Sequence, residues 1–219
     1  MQHIAKVLQL VQLEWLIDKK RPTVLAAAIL QLAIVGLLTM LSQPRILESV
    51  WNSIFWISLI LSTVQGVSKN FTMVSSGRWI FWSQIASNSQ LLWSKIIYGW
   101  ANMLLLTAIN LFIFNWFMGF PIKHFNAYLG IILLVTGGIS AVFTFVGAVA
   151  TKAGNAGYLA PVLSLPIILP ILLVGIKAST KTLNPVLVSS VYTDMLLLGA
   201  LDILILVLTG VLFESLWKE

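Results

Sequence analysis

Residues 68–95 read SKNFTMVSSGRWIFWSQIASNSQLLWSK, the one long polar interval in an otherwise apolar chain. Apolar runs of roughly 18–23 residues flank it, about the length a helix needs to cross a bilayer. A handful of residues suffices to join two spans, so a connector of about 28 residues has a task of its own. Within it, Trp79, Trp82, Ala86, Trp93 and Ile97 recur at helical spacing. That places them on one face of a helix, provided the helix continues through Ser87-Asn88-Ser89. With Arg78, Gln84 and Lys95 off that face, the segment reads as an interfacial helix at the membrane surface. It serves either as an anchor or as a docking platform for a soluble partner.

The rest of the composition agrees with a membrane setting. Of 219 residues, 59% are hydrophobic and 9% charged, and the mean hydropathy is +0.97. Soluble domains carry about a quarter charged residues, so this is read as an integral membrane protein. Cysteine is absent, which excludes disulfides, thiolate metal sites, covalent haem attachment through C-x-x-C-H and cysteine nucleophiles. A net charge of +6 would suggest nucleic acid in a soluble protein. Here the basic residues follow membrane topology, and no nucleic-acid partner is expected.

Residues 1–22 read as an amphipathic elbow. Ile4, Val7, Leu8, Val11 and Trp15 share a face, Lys6 and Gln9 lie opposite, and Leu10 and Leu13 fall outside the pattern. A signal peptide would place its charge earlier and end in small residues, so an in-plane helix is expected. Lys19-Lys20-Arg21 then marks the headgroups, with Pro22 in a first helical turn. The remainder, 23–219, forms one transmembrane domain with apolar runs at 23–41, 50–67, 96–117, 127–150, 158–176 and 192–213. Trp51, Trp100, Tyr128, Tyr158, Tyr192 and Trp217 near their ends suit interfacial belts. The expected fold is all-α and polytopic: six transmembrane helices, the elbow, and a cytoplasmic segment 68–95 between helices two and three. With the N-terminus inside, Lys6, Lys19, Lys20, Arg21, Lys69, Arg78, Lys95, Lys152 and Lys218 lie inside. Only Arg45, Lys123, Lys177 and Lys181 lie outside. The asymmetry places both termini in the cytoplasm.

Three prolines, Pro161, Pro166 and Pro170, fall in the fifth span. Each removes a backbone donor and crowds the carbonyl four residues back. They make either a static kink or a hinge beside a transport route. Asp202 lies near the middle of the sixth span, where a carboxylate is costly and needs a polar companion such as Asn102, Thr107, Asn110 or Thr144. Asp194, near the outer end of the same span, has headgroups and water within reach. His124, in an outer turn, is the one candidate for ligating haem iron, against the plainer reading of a solvated loop histidine. No paired carboxylates, metal cluster or Ser/His/Asp arrangement can be assembled, so no catalytic residue is expected. No G-x-x-x-x-G-K-[ST] occurs, so ATP can act on this chain only through a partner.

These residues carry a resemblance. Leu165-Pro166-Ile167-Ile168-Leu169-Pro170-Ile171-Leu172-Leu173, preceded by Thr151-Lys152-Ala153-Gly154-Asn155, resembles the fifth span of the CcmB family (heme exporter protein B of cytochrome c maturation). Gly77-Arg78-Trp79 and Ser94-Lys95-Ile96-Ile97-Tyr98 correspond as well, and the likeness covers nearly the whole chain. Family members often carry an acidic residue before the Gly-Arg and a later proline, where Met73 and Asn88 stand here. The resemblance implies a permease subunit of the ABC type-two exporter class in a bacterial cytoplasmic (inner) membrane. Its implied partners are a second copy of itself, a CcmA-like cytoplasmic ATPase, a CcmC-like haem-handling membrane protein and a CcmE-like haem chaperone. ATP hydrolysis in the partner would drive release of the haem-loaded chaperone, with haem as possible cargo. Exporters of this class have a short coupling helix between spans two and three, which assigns ATPase docking to Arg78, Trp79, Trp82 and Lys95. A stand-alone secondary transporter or channel, or a membrane scaffold, is the alternative reading of the residues alone.

Overall fold

The computed structural model describes residues 2–19, 22–42, 46–72, 87–153, 156–184 and 190–216. Seven helices and no strand occur among them: α1 Gln2–Lys19, α2 Pro22–Ser42, α3 Glu48–Thr72, α4 Asn88–Met118, α5 Phe125–Lys152, α6 Ala156–Leu183 and α7 Val191–Leu216. Five of these, α2 and α4 to α7, are long and apolar enough to cross a membrane. The expected span 50–67 falls on α3, which is not among the five. Its described part is broken up by polar residues that face inward, including Asn52, Ser58, Ser62 and Thr63.

Helix α5 is the axis of the bundle, packed against α3, α4, α6 and α7. Tyr128, Ile131, Val135 and Ile139 on it are fully buried. In a bilayer, lipid tails are as apolar as leucine, so helices associate through close packing and hydrogen bonds. Both occur here. A Cβ on Gly99 of α4 would stand 2.6 Å from Ser140 Oγ, and that hydroxyl donates to Ile96 O at 2.8 Å. The missing side chain lets α4 and α5 approach closely enough for the bond to form.

A buried polar knot ties α3, α5 and α6. Asn52 donates to Ser179 Oγ at 2.8 Å and Thr180 Oγ1 at 3.0 Å. Its carbonyl oxygen accepts from Tyr128 OH at 3.1 Å, and Trp56 Nε1 donates to Ser179 Oγ at 2.9 Å. Satisfied networks of this kind fix helix register, because any slip leaves a buried group unpaired. Trp51 and Tyr128, expected at the interface, are instead core residues. Trp51 stacks on Phe55 at 5.5 Å between centroids, and Phe114 meets both edge-on. Trp100 is tied to Leu133 O and Thr136 Oγ1. Tyr192, 65% exposed, suits a belt position. The Tyr158 side chain and Trp217 lie outside the described residues.

Two boundaries and one packed face differ from those expected of the sequence. Helix α4 begins at Asn88, not near 96, because Ser87 caps it. The Ser87 side chain accepts from Gln90 N while Gln90 Oε1 accepts from Ser87 N. Ser87 is extended (φ −67°, ψ 152°), so Trp93 and Ile97 belong to α4 and do not continue a helix from Trp79. Helix α6 runs on to Leu183, so Lys177 and Lys181 lie on its last turns and not in the connector between runs 158–176 and 192–213. On α1 the face packed against α4 carries Val7 and Leu10, both buried, while Leu8 and Trp15 are exposed. The apolar face expected of α1 is thus divided between the bundle and its surroundings.

Candidate functional site

Among the described residues, two places gather candidate chemistry: the junction of α1 with the start of α4, and the seam of α5 and α7.

At the junction, α1 presents Glu14 and Asp18 one turn apart, and α4 presents Lys95 and Tyr98 with matching spacing. Lys95 Nζ stands 2.9 Å from Glu14 Oε1, with side chains 22% and 17% exposed. Tyr98 OH donates to Asp18 Oδ2 at 2.5 Å. Helix α4 has 31 residues, about 46 Å at 1.5 Å per residue, whereas the hydrocarbon core is about 30 Å thick. The helix is therefore longer than the apolar layer is thick, and these polar contacts lie toward its amino end. Lys95, assigned by resemblance to ATPase docking, is thus engaged within its own chain. Arg78, Trp79 and Trp82 lie outside the described residues, as does all of 73–86.

In the seam, Asp202 is 8% exposed and its Oδ1 is buried with no hydrogen-bond partner. Three of the four expected companions are committed elsewhere: Thr107 donates to Met103 O, Asn110 to Phe55 O and Ser58 Oγ, and Thr144 to Ser140 O. Serine and threonine on a helix bond readily to the carbonyl one turn back, which removes them from service across helices. Room for the carboxyl comes from Gly138 of α5. A Cβ there would stand 3.2 Å from both Asp202 Cγ and Ile171 Cδ1 and would overlap Oδ1. Gly138 is not a residue the sequence marks out on its own. The tandem Gly137-Gly138 at mid-span is its one signal.

The other sequence candidates fall outside these two places. Helix α6 is continuous through Pro161, Pro166 and Pro170. Pro161 is half-buried, whereas Pro166 and Pro170 lie exposed on the side opposite the buried Ser164, Ile168 and Ile171. His124 sits just before α5, its amide donating to Thr182 O at 3.2 Å. Its Nε2 is buried and unpartnered, so it is not a solvated loop histidine. No group of three or more potential ligands surrounds it among the described residues. Asp194 is also buried, at 8% exposure, and bonds Lys181, with Lys177 at 3.9 Å. Pairing with two lysines explains a position that headgroup or water access would not require.

A bundle of long apolar helices around a polar knot defines a multi-pass helical membrane protein. The family model described as CcmB protein matches residues 5–214. The chain belongs to the CcmB family, membrane subunits of the heme-exporter system with its other Ccm components. No curated protein and no solved structure matches it.

Proposed function

We propose that this chain is the permease subunit of an ATP-binding-cassette complex, receiving the work of ATP hydrolysis from a cytoplasmic ATPase through residues 68–95. It spans the cytoplasmic membrane six times, α3 included, with both termini inside. Its partners are a second copy of itself, the ATPase, a haem-handling membrane protein and a haem chaperone. The observation that carries this reading is the Glu14–Lys95 and Asp18–Tyr98 double contact. It braces the distal end of the polar segment against α1, so a push on that segment is delivered to two helices together. Rigid elements joined by specific contacts are what a mechanical input requires. Stand-alone transporters of the inverted-repeat type carry interrupted helices at mid-membrane. Every described span here is continuous, which supports the coupled reading. The exposed Pro166–Pro170 face of α6 is the surface offered to the second copy, and Asp202 is the polar post of the permease interior.

Affinity purification of the tagged chain from native membranes tests the reading. An ATPase should co-purify, and its absence from gently solubilised complexes would remove the proposal. Reporter fusions at Glu219 and after Asn184 should report opposite compartments, the first cytoplasmic. An external C-terminus would overturn the layout.

A further inference from the structure

A cleft of about 780 Å³ opens between the start of α3 and the end of α6, lined by Leu47, Glu48, Lys177, Thr180, Lys181 and Leu183 among others. We infer that it holds a phospholipid headgroup bearing both a phosphodiester and a primary ammonium, the phosphoethanolamine class.

The charges set the chemistry. One carboxylate, Asp194, serves two lysines. Lys181 bonds it directly and also donates to Ser190 O. Lys177 approaches it only to 3.9 Å, beyond hydrogen-bond reach, with its side chain 68% exposed. The Lys177 ammonium therefore brings unspent positive charge to the cleft, reinforced by the amino end of α3, whose first-turn N–H groups carry partial positive charge. A phosphodiester satisfies both. Glu48 lies in the same lining, its side chain 48% exposed and 3.3 Å from Lys123. Glu48 is already paired with Lys123 and repels an anion only weakly, but its carboxylate keeps acceptor sites for a further donor. A primary ammonium offers it three hydrogen-bond donors, which a trimethylammonium group cannot.

Depth and rigidity select a lipid over a soluble phosphate. The apolar span of α6 ends at Leu183, which itself lines the cleft, so the cleft lies at the headgroup level. Leu47, 71% exposed, stands beside Glu48 as apolar surface for acyl chains. One wall is fixed before binding, because Thr180 Oγ1 accepts from Asn52 and donates to Ile176 O at 2.7 Å. Preformed walls spare a ligand the cost of ordering its site.

Such a site needs only the membrane setting and no ATPase. The full chain, purified in detergent, is titrated in native mass spectrometry with phosphatidylethanolamine, phosphatidylcholine and phosphatidylglycerol of identical acyl chains. Phosphatidylethanolamine should bind most tightly. Lys177→Gln, at a mostly exposed position that leaves the fold intact, should weaken it about threefold to tenfold, the scale of one net hydrogen bond near solvent. Glu48→Gln should abolish the preference for ethanolamine over choline. Equal binding of the three lipids, or no effect of Lys177→Gln, would overturn the assignment. A preference for phosphatidylglycerol would show a plain anion site and also overturn it. Displacement by soluble phosphoethanolamine at concentrations comparable to the lipid would show that no lipid is required, which overturns it equally.

Discussion

Gly138→Ala is expected to destabilise the purified protein by about 1–3 kcal/mol, the range for inserting a methyl group into a filled interior. At this chain length that corresponds to a fall in thermal midpoint of roughly 2–4 °C per kcal/mol. The new methyl group would meet the Asp202 carboxyl on one side and Ile171 Cδ1 on the other, so α5 and α7 must part or the carboxyl must turn away. Two companion variants separate these effects. In Gly138→Ala/Asp202→Ala the space is returned, and the midpoint should recover. Asp202→Ala alone should be as stable as the parent or more so, because it removes a buried oxygen that has no partner. An unsatisfied buried polar group costs about 1–3 kcal/mol. The same variant should lose cytochrome maturation if the carboxyl is kept for function. Asp202→Asn, equal in size but unable to ionise, then tells whether a charge is needed. A marked loss of stability in Asp202→Ala would show that the carboxyl does hold helices together.

The all-helical membrane class was legible because 18-residue apolar runs have few other uses in a chain this poor in charge. The start of α4 was legible too, but missed: Ser87-x-x-Gln90 is a capping-box pattern lying inside the stretch read as one interfacial helix. Other features depend on partners that lie far away in sequence. Lys177 and Lys181 looked like loop charges because Asp194, which bonds them, is on another helix. Trp51 and Tyr128 looked like belt residues because periodicity does not reveal an aromatic cluster with Phe55 and Phe114. The packed face of α1 is set by where α4 places Lys95 and Tyr98, not by the apolar moment of α1. Gly138 has meaning only beside Asp202 on a distant helix, a non-local contact of the close-approach kind glycine permits.

The second large effect is expected at the brace. Glu14→Lys would set two ammonium groups against each other where Lys95 Nζ and Glu14 Oε1 now stand 2.9 Å apart, both less than a quarter exposed. Losing the pair and adding the repulsion should cost about 1–3 kcal/mol, enough to detach α1 from α4 in a large share of molecules. Cytochrome maturation should fall with it. The reversed pair Glu14→Lys/Lys95→Glu should restore most of the activity, because the contact needs opposite charges and not a particular direction. Tyr98→Phe removes the Asp18 bond alone and should give a milder defect. If the reversed pair is as inactive as Glu14→Lys, Lys95 has a separate task, such as the docking role that the family resemblance assigns to it.

Coupling through residues 68–95 is tested most directly by the double variant Arg78→Glu/Trp82→Ala. Arginine and tryptophan dominate many protein interfaces. Arg78 is the one arginine of this segment, and Trp82 is one of its three tryptophans. The variant should reach the membrane at the parent level and keep the contacts among the described helices. Affinity purification should then recover the ATPase with the parent chain and not with the variant. Full retention of the ATPase by the variant would contradict docking at this segment.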